Sequence, residues 1–362
     1  MKTRAHFALA VGALAALFTI PSLPAKEKPR NQEALEAATR LQVFLDRAEF
    51  APGKIDGRYG EFTLKALTLY RKSRGESVAP KPAKPAKGKQ DTAPDVSGLD
   101  LASIDPVFTS YTVTEDDLKS VGELADTVPA QAKQKSLPYK TAAEAIAEKF
   151  HTDVDFLAEL NPGKTKTIKS GDVLTVPNVQ PFELPAVKDI QPGSEIAAND
   201  AGDEDKATAS KHKTGKKQKE KAAEEPATTT SVHVDVKTNM LCVFDGEKLI
   251  AAYPVTIGSA QTASPLGDWK VRGVAKMPTF RYDKAMLNKG ERSSDFHLLP
   301  PGPNNPVGIL WIQLNKKGIG LHGTSDPDAI GRSASHGCVR LANWDVVRLA
   351  GKVKAGVSVS IH

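Results

Sequence analysis

The chain of 362 residues contains two cysteines, and one stands in a segment suited to chemistry rather than packing. Residues 321–341 read LHGTSDPDAIGRSASHGCVRL. Cys338 follows His336 and Gly337, and a second His-Gly pair, His322 and Gly323, opens the segment. Gly, Ser and Asp fill the space between them, which marks a loop. A cysteine attacks as its thiolate, so a neighbour must take its proton or lower its pKa. Histidine is the usual agent. His336 lies too near Cys338 in sequence for their reactive atoms to meet readily in a turn, which makes His322 the better general base. Gly323 and Gly337 suit a backbone that turns sharply and approaches a substrate closely. Amides around Gly337 and Cys338 are placed to receive the oxyanion of a carbonyl under attack. Arg340, two residues on, can bind a substrate carboxylate bidentately.

The same residues allow three other outcomes. Cys242 and Cys338 can form a disulfide. His322, His336 and Cys338 offer three zinc ligands, though without paired ligand spacing or an identifiable fourth. The segment can also be a structural loop with solvated histidines. Spacing alone leaves all three open.

The compartment bears on that choice. Lys2 and Arg4 precede an apolar run from Phe7 to Ile20, followed by Pro21 and Ala25. Residues 1–25 therefore read as an export signal, shorter than the roughly 20 apolar residues of a membrane span. An uncleaved anchor helix is the alternative, and only then does the chain touch a membrane. Export places the protein in the periplasm or cell wall, where disulfides form. A chain of this length buries its own cores without such a staple. The net charge of +6 suits an acidic polymer as partner. Nucleic acid is excluded, because no basic helix carries base-reading residues.

The elements that must position these residues fall into three pieces. Over 31–76, Leu35, Ala38, Leu41, Phe44 and Leu45 recur at helical spacing. The turn cluster PGKIDGRYG separates them from a second helix carrying Phe62, Ala66, Leu69 and Tyr70. A linker covers 77–108, with a Pro-, Ala- and Lys-rich spacer at 78–90. Residues 109–179 combine a strand (SYTVT), helices at 142–150 and 153–160, and a closing strand in SGDVLTVPNV. Residues 180–230 read as a disordered linker, in which 211–221 hold six lysines against one glutamate. From 231 to 362 the pattern is mostly β: Val232, Val234 and Val236 alternate, and LCVFDGEKLI reads as a hairpin turning at Asp245-Gly246. AAYPVTIG, DWKVRGVA, GILWIQLN and VSVSIH are further strands, with a short helix at 343–349. Cys242 in the first hairpin reads as a small buried hydrophobe.

The stretch that opens with HGT and closes with SHGCVRL resembles the active-site signature of the L,D-transpeptidase catalytic domain, a bacterial cell-wall cross-linking family. The resemblance covers 231–362 and includes TIGSAQTASPLGDWKV and PPGPNNPVG. It implies an L,D-transpeptidase-like β-sandwich with Cys338 as nucleophile and His322 as proton acceptor and donor. It further implies that the Gly323 carbonyl orients the His322 ring, while Ser335, His336 and Gly337 shape the loop and the oxyanion site. No metal and no cofactor is implied, and the partners are peptidoglycan stem peptides and glycan strands. The implied reaction is acyl transfer from a stem peptide through Cys338 to an amine. Water as acceptor would make a carboxypeptidase or endopeptidase, and an inactive site would leave a wall-binding scaffold. LQVFLDRAEFAPGKIDGRYGEFTLKAL is similar to peptidoglycan-binding helical domains, departing at YRKSRG. Residues 109–178 resemble a lysin-motif (LysM) module with an insertion from about Glu115 to Lys140. Such modules would raise the local concentration of substrate along the wall.

Overall fold

Leu35, Ala38, Leu41 and Leu45 are buried along one face of α1 (Gln32–Arg47). Leu41 and Leu45 of that stripe pack with Ala66 and Leu67 of α2 (Glu61–Ser73), while Leu35 joins the core of the middle segment. The computed structural model describes residues 31–77, 93–189, 229–258, 264–289, 291–316, 318–332 and 337–362. The expected export signal, the spacer at 78–90 and the lysine-rich run lie outside the described residues.

In the middle segment β1 (Phe108–Thr112) pairs antiparallel with β2 (Val173–Pro177). The expected insertion carries two short helices, α3 (Glu115–Leu118) and α4 (Val128–Gln131). It is followed by α5 (Ala142–Lys149) and α6 (Val154–Leu160). The Thr141 side chain accepts from the Glu144 N–H, and Asp153 accepts from the Asp155 and Phe156 N–H groups. Both satisfy amides that a helix start leaves orphaned. The result is a β-α-α-β unit around Ile146, Phe156, Leu157 and Leu174.

The last segment contains β3 (Thr230–Asp235), β4 (Met240–Asp245), β5 (Lys248–Pro254), β6 (Gly267–Lys276), β7 (Phe280–Tyr282), α7 (Lys284–Lys289) and β8 (His297–Leu299). After these come β9 (Leu310–Leu314), β10 (Gly320–His322), β11 (Val339–Arg340), α8 (Asn343–Ala350) and β12 (Ser358–Ile361). Eight strands form one mixed sheet in the order β11-β10-β9-β6-β12-β3-β4-β5, and β7 pairs with β8 separately. One strand, β6, serves both halves of this sheet. Residues 267–270 of β6 pair with β12 and 271–276 with β9, with a register shift between Val271 and Gly273. An irregularity of that kind bends a strand, so it passes from one half to the other. Trp344, Val346 and Leu349 of α8 join Val232, Leu241, Tyr253 and Ile312 in the core beneath.

Two stretches expected as linker are packed. Val96, Leu99 and Leu101 lie against the helix pair, and Ile104 and Val107 are buried. Phe182 and Val187 enter the core of the large sheet. A few apolar residues among Pro, Asp and Lys do not move an average composition, yet each buried one is worth about 1.5–3 kcal/mol. Residues 180–189 therefore pack with the sheet domain, and 190–228 lie outside the described residues.

The described residues from 32 onward form one compact unit, and polar groups mark its seams. Ala51 N–H donates to Ala252 O at 2.8 Å and Ala252 N–H to Glu49 O at 2.9 Å, so the chain after α1 covers the open edge of β5. At a second seam Asp46 of α1 meets His151 after α5 and Arg348 of α8. Arg348 donates to both Asp46 oxygens at 3.0 and 2.8 Å, and His151 Nδ1 lies 3.1 Å from Oδ1. Burial alone would raise the Asp46 carboxyl, but His151 and Arg348 outweigh it and hold it well below the usual carboxylate range.

Removing one partner of a buried pair leaves the other without compensation, at about 3–5 kcal/mol. Asp46→Asn should lower unfolding stability by that order in urea titration at pH 7. A depressed carboxyl stabilises fully above its unfolded value of about 3.9 and loses that contribution as pH falls through the folded value. The difference between Asp46→Asn and the parent chain should therefore shrink below about pH 4. A loss under about 1 kcal/mol at pH 7 would mean the seam contributes little.

Candidate active site

Two residue pairs of parallel ladder set the geometry: Leu321 faces Val339 and His322 faces Arg340. Strand alternation sends Leu321 and Val339 into the core and His322 and Arg340 to the other face. Carried one residue back, the same register sets Cys338 opposite Gly320, diagonal to His322 on that face. Gly337, just before it, has φ +108°, a backbone that glycine adopts without strain.

His322 is 3% exposed and held on two sides. Its Nδ1 lies 2.6 Å from Gly323 O, a contact that places the proton on Nδ1 and leaves the Nε2 lone pair for chemistry. Trp311, its cross-strand partner on β9, stacks on the ring with centroids 5.2 Å apart and planes 10° apart. The indole needs the glycine at 320, because a Cβ there would lie 2.6 Å from Trp311 Cε2. Cys338 is half-buried against the cluster of Ala275, Val307 and Trp311. Its Sγ–H donates to Gly318 O at 3.6 Å.

Electrostatics place the resting pair in its neutral form. Burial, aided by the Arg340 charge, pushes the His322 imidazole down to about 3. Burial pushes the Cys338 thiol up, against a backbone hydrogen bond from Gly320 and the attraction of Arg340. Arg340 is fixed by its backbone, which exchanges hydrogen bonds of 3.0 and 2.9 Å with Thr256. The Thr256 hydroxyl donates to Ala329 O at 3.1 Å and accepts from Gly331 N–H at 2.8 Å, tying down the loop that leads toward the cysteine. From the other side Lys54 pairs with Asp328, and Phe62 of α2 lies where a Cβ on Gly331 would be.

Of the residues singled out in the sequence, Cys338, His322, Gly323, Gly337 and Arg340 converge here. Ser335 and His336 lie outside the described residues. No disulfide joins the two cysteines; Cys242 sits half-buried in β4 against the α1–α2 cluster. Among the described residues no three His, Cys, Asp or Glu side chains gather as a metal site. Sequence reasoning missed Trp311 and Thr256. In GILWIQLN the alternation puts Trp311 on the face opposite Leu310 and Ile312, a signal that could have flagged the first. Thr256 opens TIGSAQTASPLGDWKV, a stretch already within the resemblance, but nothing in it marks the hydroxyl that ties down the loop.

A family model described as YkuD, the L,D-transpeptidase catalytic domain, matches residues 229–361. The Bacillus subtilis protein named L,D-transpeptidase YqjB is 31% identical over 135 residues, which are 36% of this chain and 69% of that protein. The Bacillus licheniformis protein named L,D-transpeptidase YkuD is 29% identical over 130 residues. That match covers 36% of this chain and spans 64% of the relative's length. A solved structure of an L,D-transpeptidase from Mycobacterium smegmatis overlays 37% of this chain and 59% of its own at 16% identity, with a TM-score of 0.30, too low to add weight.

A neutral thiol and a neutral imidazole respond to pH differently from an ion pair. Alkylation of the native protein by iodoacetamide should modify Cys338 first, at a rate that keeps rising above pH 8. Cys242, which burial pushes up to about 11, should react far more slowly. A rate at Cys338 that is already at plateau by pH 7 would mean a resting thiolate and contradict the electrostatics.

Proposed function

The chain belongs to the L,D-transpeptidase catalytic-domain family, and from that premise we propose that it is an exported cysteine transpeptidase acting on peptidoglycan stem peptides. The observation that carries the reading is the Gly323 carbonyl on His322 Nδ1, which presents Nε2 as a base on the face that holds Cys338. The Cys338 sulfur attacks the carbonyl of the third stem residue while its proton passes to Nε2. Charge appears on the imidazole only as negative charge develops beside it, so the burial that keeps a lone imidazolium from forming is offset at that moment. Backbone amides at Gly337 and Cys338 receive the oxyanion, and Arg340 binds a carboxylate of the peptide.

Collapse of the intermediate breaks the amide to the terminal D-residue, whose nitrogen takes the proton from His322. A thioester remains on Cys338. The amine of a neighbouring stem then attacks that thioester, His322 accepts its proton, and the thiol is restored with a new cross-link. The helix pair and the LysM-like unit would hold the enzyme against glycan strands, in the periplasm or wall. Among the described residues no helix is long and apolar enough to cross a membrane.

Cys338→Ala should abolish covalent labelling by a carbapenem, a strained acyl donor, as read by intact mass. His322→Ala keeps the thiol, so labelling should slow by about 10²–10⁴-fold and partly recover as pH rises above the free-thiol value of about 8.5, since burial pushes this thiol up. Unchanged labelling of His322→Ala near neutral pH would remove His322 from the role of base. With stem tetrapeptide, added diamino-acid peptide should appear in cross-linked product. Release of tripeptide alone would reassign the enzyme as a carboxypeptidase.

A further inference from the structure

A buried chain of contacts runs from the β-α-α-β unit to the shelf that holds His322. Asn343, at the start of α8, has no exposed surface. Its Nδ2 donates to Glu148 Oε1 at 3.0 Å, and the Tyr139 hydroxyl donates to the same oxygen at 2.7 Å. The other arm of the amide, Oδ1, accepts from Ile309 N–H at 3.3 Å. That oxygen rests on two glycines, since a Cβ built at Gly308 or at Gly323 would lie 2.2 Å from it. Gly323 is the residue whose carbonyl accepts the His322 Nδ1 proton.

An amide side chain presents a donor on one arm and an acceptor on the other, so whatever fixes one arm fixes both. Glu148 gives Nδ2 its short acceptor; Pro303 O is 3.5 Å away. The same unit grips the adjoining loop, where Leu137 N–H donates to Pro301 O at 3.0 Å and Asn304 N–H to Leu137 O at 3.1 Å. An apolar side chain would be cheaper to bury at 148, because burial pushes this carboxyl up to about 7.

We propose that Glu148 is a positioning residue for acyl transfer: it orients the Asn343 amide, which seats Gly323 and so holds the carbonyl that selects the His322 tautomer. The β-α-α-β unit is then part of the catalytic apparatus of this chain rather than only a tether for it. The role rests on His322 serving as the base. Groups that orient a functional histidine from behind are familiar, and at metal-bound histidines losing one costs about 10- to 100-fold.

Full-length Glu148→Met and Glu148→Gln test this against the parent chain. Methionine fills the space without an acceptor, while glutamine keeps Oε1 and mimics the neutral carboxyl. Two quantities are read on folded protein: the rate of Cys338 acylation by a carbapenem, and the His322 tautomer from imidazole nitrogen shifts. Glu148→Met should acylate about 10- to 100-fold more slowly and show a mixed tautomer, and Glu148→Gln should restore both. A merely structural glutamate would lower the melting temperature of Glu148→Met and leave both readouts unchanged, which would overturn the proposal. If Glu148→Met does not fold, Tyr139→Phe replaces it: a fall in rate with tautomer mixing supports the role, and two unchanged readouts overturn it. Failure of the parent chain itself to acylate at Cys338 would instead count against the proposed function.

Discussion

The parallel pairing of β10 with β11 is the constraint on which the site depends. Only two residue pairs long, it puts His322 and Cys338 on one face of a sheet whose other face is core. A slip by one residue would turn both side chains into that core. Much of the surrounding structure prevents the slip. Leu321 and Val339 anchor the inner face, Thr256 pairs with Arg340 on the far side of β11, and β9 flanks β10. Trp311 lies flat on His322 because residue 320 has no side chain. Packing, register and proton placement thus express one arrangement.

The segments before the sheet domain do more than precede it. The chain after α1 closes the open edge of β5, and the Asp46–His151–Arg348 seam draws one residue from each of the three segments. Phe62 and Lys54 brace the loop that leads to Cys338. Such seams hold the three segments in one common frame. Preorganisation of that kind is what a neutral thiol–imidazole pair requires, since its reactivity depends on placement rather than on a standing charge.

The residue types gathered at the candidate site were legible in the sequence because they are written locally. Two His-Gly pairs and a cysteine within 321–341 set the residue types, and the alternation of Val232, Val234 and Val236 announced strands. The helix pair was legible from the spacing of Leu35, Ala38, Leu41 and Leu45. What stayed hidden is non-local. Asn343 and Glu148 are separated by 195 positions, and neither has a neighbour that foretells the other. The path of β6 through both halves of the sheet depends on a register shift at Val271 that alternation does not encode. The packing of Phe182 and Val187 stayed hidden too, because such isolated apolar anchors sit in polar surroundings.

The central claim is that a stem peptide becomes covalently attached to Cys338. Mixing the full chain with a stem tetrapeptide, quenching in acid within one turnover and measuring intact mass tests it directly. The account predicts a mass gain equal to the tripeptide acyl group, mapped to the peptide containing Cys338, with one equivalent of terminal D-residue released. Release of the D-residue with no adduct, or an adduct mapped to Cys242, would contradict it.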